Sequence, residues 1–276
     1  MSLKPNQGLD DPRVTKLWDR GEEDYTRKNP ITLPQDIRSL LAGRPRNPDI
    51  LDNIRDKSRD AKTYYPPNCT SFFIPRAKQD KILDPYLAFD VVNQLECYKH
   101  YTHEQRVSLV VDQIYSPKEP CWKLLLVLIN IKEQECLRRL LDEGVTDRCL
   151  PFTFPTTPAT KDEASPASTC QVPDHEHPSV KAWKPKSDEL ENFCKWGHVV
   201  KAPYFTREST HRHVHLILEN MDVLPIVYEH PQTGSPHDAE DRTGAYGKVD
   251  KVSFDPSHCD FSNIGVSTGP QNQQIH

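Results

Sequence analysis

Glycine, paired cysteines and long apolar runs are what this chain has least of. Ten glycines stand against 25 prolines in 276 residues, so its joints are mostly helix stops and extended segments rather than tight glycine turns. No apolar run approaches the ~18 residues of a membrane span; the longest, Leu124–Ile129, has the length of a core segment. The polar residues 1–11 contain no signal-peptide apolar core. The eight cysteines, Cys69, Cys97, Cys121, Cys136, Cys149, Cys170, Cys194 and Cys259, are spread singly without a C-x-x-C pair. In a chain with no export signal that spacing reads as reduced intracellular thiols, with cytoplasm and nucleus not distinguished. A net charge of −5 with both signs interspersed lacks the clustered basic footprint of nucleic-acid binding. There is no G-x-S-x-G elbow, and no cysteine sits in a catalytic signature, which argues against hydrolase chemistry.

What is present is a sparse core. Hydrophobic residues make up 36% of the chain and mean hydropathy is −0.72, so a modest folded region with considerable loop is expected. Residues 1–30 are charged and poorly periodic and read as a disordered arm.

Helical patterning begins near Ile31. Pro34–Leu41 sets Ile37, Leu40 and Leu41 on one face, with Gly43 placed to end the helix. Asn47-Pro48 has the form of a cap and first helical residue, followed by Ile50, Leu51 and Ile54. Ser71–Ile74 reads as a docked extended piece. Asp84-Pro85 opens a helix with Leu87, Val91, Val92 and Leu95 inward, and Thr102-x-x-Gln105 has capping-box spacing ahead of Val107, Val110, Val111 and Ile114. Pro120–Ile129 is apolar nearly all round, which predicts a buried central helix interrupted at Asn130. Glu133–Glu143 follows with Cys136, Leu137, Leu140 and Leu141 inward. Gly144-Val145 has the form of a Schellman stop. Residues 31–152 thus read as a small helical domain.

Residues 153–186 hold repeated Pro, Thr, Ser and Ala with almost nothing large to bury, and read as a low-complexity linker. Beyond it, Leu190, Phe193 and Trp196 suit a short amphipathic helix. Val199-Val200 and Tyr204-Phe205 read as extended pieces, Val223–Val227 as a short strand, and 263–276 as a disordered tail.

Histidines form two groups. His211, His213 and His215 fall on one face of a strand pattern, where two of them can hold Zn²⁺ or Cu²⁺. No partner is spaced to complete that site, so they are read as a solvated face. His175 and His177 fall in the linker and are read the same way. No metal site is assigned from the sequence, and Cys194, near Trp196 and His198, reads as a buried thiol.

The stretch Thr243–Val252 carries Gly244 and Gly247 in a G-x-x-G spacing, followed by Val249. As strand–turn–strand, the glycines let backbone approach a phosphate, and Val249 stands where a covering loop presses on adenine. The stretch resembles the protein-kinase loop G-x-G-x-x-G-x-V, with Arg242 in place of the first glycine. Three further blocks occur in order. They are Leu124–Ile129 through Glu143-Gly-Val-Thr-Asp-Arg-Cys-Leu-Pro151, then Trp196 to Pro203-Tyr-Phe205, then Leu224-Pro225-Ile226. Gly247-Lys-Val-Asp-Lys-Val-Ser-Phe-Asp-Pro-Ser-His258 completes the glycine-loop block. Together, over roughly residues 25–265, they resemble the region ahead of the kinase domain in a group of fungal protein-kinase-like proteins.

The resemblance implies remnant ATP contact at Gly244, Gly247 and Val249 only. The sequence ends 27 residues after Val249, and no kinase lysine, catalytic loop or metal-holding motif is present, so no catalytic residue is assigned. ATP and Mg²⁺ would enter only with a completed kinase domain. The expectation is a mainly α chain with a helical domain (31–152), a linker (153–186) and an incomplete β-hairpin like the start of a kinase N-lobe (within 187–262). Its function would be that of a truncated, non-catalytic regulatory piece with protein partners, no nucleic acid and no membrane. A stand-alone helical interaction module and a kinase completed by further sequence are the alternatives.

Overall fold

The structure is a computed structural model and describes residues 33–34, 36–42, 47–64, 71–152, 170, 177, 187–203, 205–206, 223–229, 243–244, 247–248 and 252–260. The N-terminal arm, most of the linker, the His211–His215 stretch, Val249 and the C-terminal tail lie outside them.

The architecture is mainly α with small two-stranded ladders. The helices are α1 (Ile37–Ala42), α2 (Ile50–Ala61), α3 (Arg76–Ile82), α4 (Pro85–Gln94), α5 (His103–Ser108), α6 (Trp122–Ile131), α7 (Leu137–Asp142) and α8 (Ser187–Val200). The strands are β1 (Thr63–Tyr64), β2 (Phe72–Phe73), β3 (Phe205–Thr206), β4 (Ile226–Glu229), β5 (Thr243–Gly244), β6 (Gly247–Lys248), β7 (Val252–Phe254) and β8 (Cys259–Asp260). β1 pairs with β2, β4 with β7 and β5 with β6, all antiparallel; β3 and β8 run parallel.

Local signals act where they stand in the chain. The Asp84 carboxylate accepts from Tyr86 N and Leu87 N, and Pro85 supplies a first residue with no N–H to satisfy. Thr102 and Gln105 form the complete reciprocal capping box. At the end of α7, Val145 N donates to Leu140 O and Gly144 N to Leu141 O, both at 2.9 Å. Gly144 takes φ +72°, and Val145 folds back into the core. That is the Schellman pattern, with glycine where a side chain would be strained.

α6 is the centre. Leu124 through Ile129 are all fully buried, which the run's lack of a polar face requires. Its C-terminal end is closed by Arg55 of α2, whose Nε donates to Ile129 O at 2.9 Å. The helix runs through Asn130, whose amide donates to Leu126 O (2.9 Å) and to Ser58 Oγ of α2 (3.1 Å). Asn130 is therefore a bridge and not the break expected; the turn comes at Lys132 in left-handed conformation. The extended piece Phe72–Ile74 is docked as expected: β2 is buried, and Ile74 N donates to Val199 O.

Other differences have physical reasons. Leu40 lies on the open side of α1, 47% exposed, because that six-residue helix turns Ile37 and Leu41 into the core. Asn47 does not cap α2; its Oδ1 accepts from Asp49 N in a turn, and the helix begins at Ile50. Leu109–Ile114 winds as a π turn, closed by Tyr115 N to Val110 O (2.9 Å), which rotates Leu109 inward and leaves Val111 half-buried. Val199 and Val200, expected extended, are the last turn of α8.

The hydrophobic core also runs past residue 152, where the sequence reading closed its helical domain. Phe193, Cys194, Val199 and Val200 of α8 belong to the same cluster as α6. Gln79 of α3 fastens the end of α8 by donating from Nε2 to Ile74 O (2.8 Å) and Val200 O (3.2 Å).

Leu126 sits in the middle of this core. Leu126→Ala is expected to cost ~2–5 kcal/mol through lost transfer energy and the cavity left behind. Urea unfolding of the full chain checks this, and an unchanged midpoint would place the helix elsewhere than at the centre of the fold.

Candidate functional site

The chain returns to the start of α6 through a short 3₁₀ turn, Asp147–Cys149. α6 has no side-chain cap of its own: Cys121 occupies the N-cap and makes no capping bond. Asp147 does this from 23 residues downstream. Its carboxylate accepts from Leu124 N at 2.8 Å and from Lys123 N at 3.1 Å. Its own N–H donates to Pro120 O at 2.9 Å. Asp147 is buried, and burial pushes its carboxyl up to about 7 against the opposing pull of Lys123 and the two backbone N–H groups.

This anchored turn presents Cys149. Thr146 Oγ1 accepts from Arg148 N, and Thr146 N donates to Cys149 Sγ at 3.5 Å. The following residues are clamped from the other side by α8. A Cβ on Gly197 would meet the Cα and Cβ of Pro151 at 3.3 Å, so glycine lets the helix lie close against the turn. Phe152 then packs on Phe193 of α8, ring centroids 5.4 Å apart, and edge-on to the His177 ring at 5.8 Å.

At that point three metal-binding side chains meet. One ligand atom each from Cys149, Cys170 and His177 all lie within 4.8 Å of one another. Cys149 and His177 are buried and Cys170 is half-buried. Two sulfurs and an imidazole nitrogen are the donor set of zinc and other borderline or soft metals. From the sequence alone no metal ligand is assigned, and His177 falls with His175 in the linker. The signal there is faint: Cys149 to Cys170 to His177 has no short C-x-x-C spacing, and only the fold joins the three.

The predicted nucleotide residues divide. Gly244 and Gly247 face each other as a β5–β6 pair with two residues between them, the spacing of a tight hairpin. Val249 lies outside the described residues, and so does the histidine triplet. Cys194 is buried as expected, its thiol pushed up to about 12 by desolvation, which suits a core residue and not a nucleophile.

His258, which carried no assignment beyond its place in the last motif block, is fully buried. Its Nε2 accepts from Arg76 N at 3.2 Å, so the proton is on Nδ1, which donates to Pro203 O at 3.0 Å. Its ring stands edge-on to Phe73 at 5.5 Å. It supplies a partner to the first N–H of α3 from 182 residues away, as Asp147 does for α6.

Comparison with protein-family models, curated proteins and solved structures finds no match to the chain. No helix among the described residues is long and apolar enough to cross a membrane.

Two measurements probe these remote caps. Asp147→Ala leaves two buried N–H groups without an acceptor and is expected to cost about 2 kcal/mol; an unchanged urea midpoint would mean that α6 finds another cap. For His258, burial, then the nearby Arg76 guanidinium, lowers the imidazole from 6.5 to about 4. As pH falls the unfolded chain takes up its proton first. Stability from this group is therefore complete above pH 6.5 and is lost between 6.5 and about 4. The loss reaches roughly 3 kcal/mol at the acid end. Denaturant midpoints followed across that window should fall less steeply in His258→Gln than in the wild type. Parallel curves would show that His258 is not buried neutral.

Proposed function

We propose that this chain is the helical region preceding the kinase domain of a fungal protein-kinase-like protein. In this reading it is an intracellular, non-catalytic module that engages protein partners. The reading rests on the order and spacing of the four motif blocks, and the observation that supports it is what the structure does with the block Glu143–Pro151. Its residues have connected tasks: Gly144 and Val145 end α7, Asp147 caps α6, and Cys149 enters the metal-ligand cluster.

In this reading the chain transfers no phosphoryl group. Transfer needs a lysine on the phosphates, a catalytic aspartate and metal-holding side chains around one cleft. The 276 residues contain neither His-Arg-Asp nor Asp-Phe-Gly. The Gly244–Gly247 hairpin belongs to a two-stranded ladder, with no wider sheet to form a cleft wall among the described residues. In the kinase reading, Gly244, Gly247 and Val249 are the remnant of an ATP loop.

A stand-alone helical interaction module is the second reading. It is favoured by the way α8 and His258 draw the C-terminal third onto the helical core. In-frame sequence beyond His276 encoding an apolar-Ala-apolar-Lys strand, then His-Arg-Asp and Asp-Phe-Gly, would instead establish an ATP-dependent kinase.

Calorimetric titration of the full chain with Mg-ATP is expected to show no heat of binding. Sub-millimolar binding that disappears in Gly244→Val would overturn the non-catalytic reading and give the glycine hairpin a working nucleotide site.

A further inference from the structure

We infer that Cys149, Cys170 and His177 form a zinc site that fastens Cys170 and His177 to the helical core. Its three ligand atoms already lie within 4.8 Å of one another. Zinc bonds of ~2.3 Å to sulfur and ~2.0 Å to nitrogen in a tetrahedron set ligand atoms roughly 3.5–3.8 Å apart. A contraction of about an ångström therefore completes the site, which rotation of the cysteine side chains supplies without rebuilding the backbone.

The surroundings favour an ion over a chance meeting of side chains. Cys149 is fixed by the Asp147 turn at the start of α6, and the Thr146 N–H already points at its sulfur at 3.5 Å. Such N–H donors stabilise a zinc-bound thiolate and hold its orientation. Phe152 walls the His177 ring at 5.8 Å and is itself packed on α8. Two thiolates in so buried a place are costly alone, and a divalent cation neutralises them. On binding, Zn²⁺ displaces the thiol protons of Cys149 and Cys170, which pass to solvent, and takes the lone pair of the neutral imidazole. No oxidant or reductant is consumed. The donor set of two sulfurs and one nitrogen selects zinc over magnesium or calcium, which take oxygen ligands.

The consequence is mechanical. Cys170 and His177 come from a stretch whose composition offers almost nothing apolar to bury, and metal bonds replace the missing hydrophobic anchor. The inference does not depend on the kinase resemblance.

The test uses the full-length chain purified under a non-chelating reductant. Elemental analysis should find about one zinc per chain. Replacing it with Co²⁺ should produce thiolate-to-cobalt charge-transfer absorption together with the intense d–d bands of a tetrahedral site. In competition with a chromogenic chelator, Cys149→Ser, Cys170→Ser and His177→Ala should each weaken zinc at least ~100-fold, since loss of a mere supporting residue costs 10–100-fold. The triple variant His211→Ala, His213→Ala, His215→Ala should bind as the wild type does. Three results would overturn the inference. One is a wild-type chain that takes up Co²⁺ without a charge-transfer band. Another is zinc affinity that survives the cysteine substitutions or is lost with the histidine triplet. The last is a Cys149–Cys170 disulfide that persists in the reduced preparation. The cobalt spectrum is read on the unaltered chain, so a variant that fails to fold leaves the test intact.

Discussion

The fold depends on satisfying the first N–H groups of a helix whose N-terminal end is buried. α6 is buried from Trp122 through Ile129, so its N-terminal donors need a partner brought to them. Asp147 is that partner. Placing a carboxylate there is costly enough to raise its proton affinity by several powers of ten. The compensation is a pair of short backbone bonds and the proximity of Lys123. Because the cap comes from downstream, it fixes the path of the chain after α7. The Schellman stop at Gly144, the 3₁₀ turn and the approach of α8 over Gly197 all converge on the position Asp147 must hold.

The same device recurs on a smaller scale at α3. Its first N–H is met by His258, a neutral imidazole whose other nitrogen donates to Pro203 O. One ring thereby joins three regions, the start of α3, the exit of α8 and the final 3₁₀ turn. Both remote caps are titratable groups held away from their ordinary proton affinities by burial, and in opposite senses. Acidification through the window between the two histidine values weakens the second tie while leaving the first better protonated than in the unfolded chain.

The inferred zinc site lies beside one of these caps. The turn that carries Asp147 also carries Cys149, two residues on, so the anchor of the core and the first ligand of the inferred zinc site are a single local structure. The glycine hairpin is separate in kind. It is a tight antiparallel pair with the phosphate-loop spacing, Thr243 opposite Lys248 and Gly244 opposite Gly247.

Features settled within a few residues were legible in the sequence alone. The Asp84 and Thr102 caps, the Gly144-Val145 stop and the burial of Leu124–Ile129 are of this kind. Each rests on bonds spanning at most five residues, or on a run with no polar face to expose. Tertiary structure decided the rest. Asn130 does not break α6 because Ser58 of another helix accepts its amide. Val199 and Val200 end α8 with their carbonyls held by Ile74 N and Gln79 Nε2. Asp147, His258 and the Cys149–Cys170–His177 cluster join residues as much as 182 positions apart, where spacing carries no signal. Their roles arise from burial, which makes a backbone N–H or a thiolate seek a partner, and burial at such distances is a property of the packed molecule rather than of neighbouring letters.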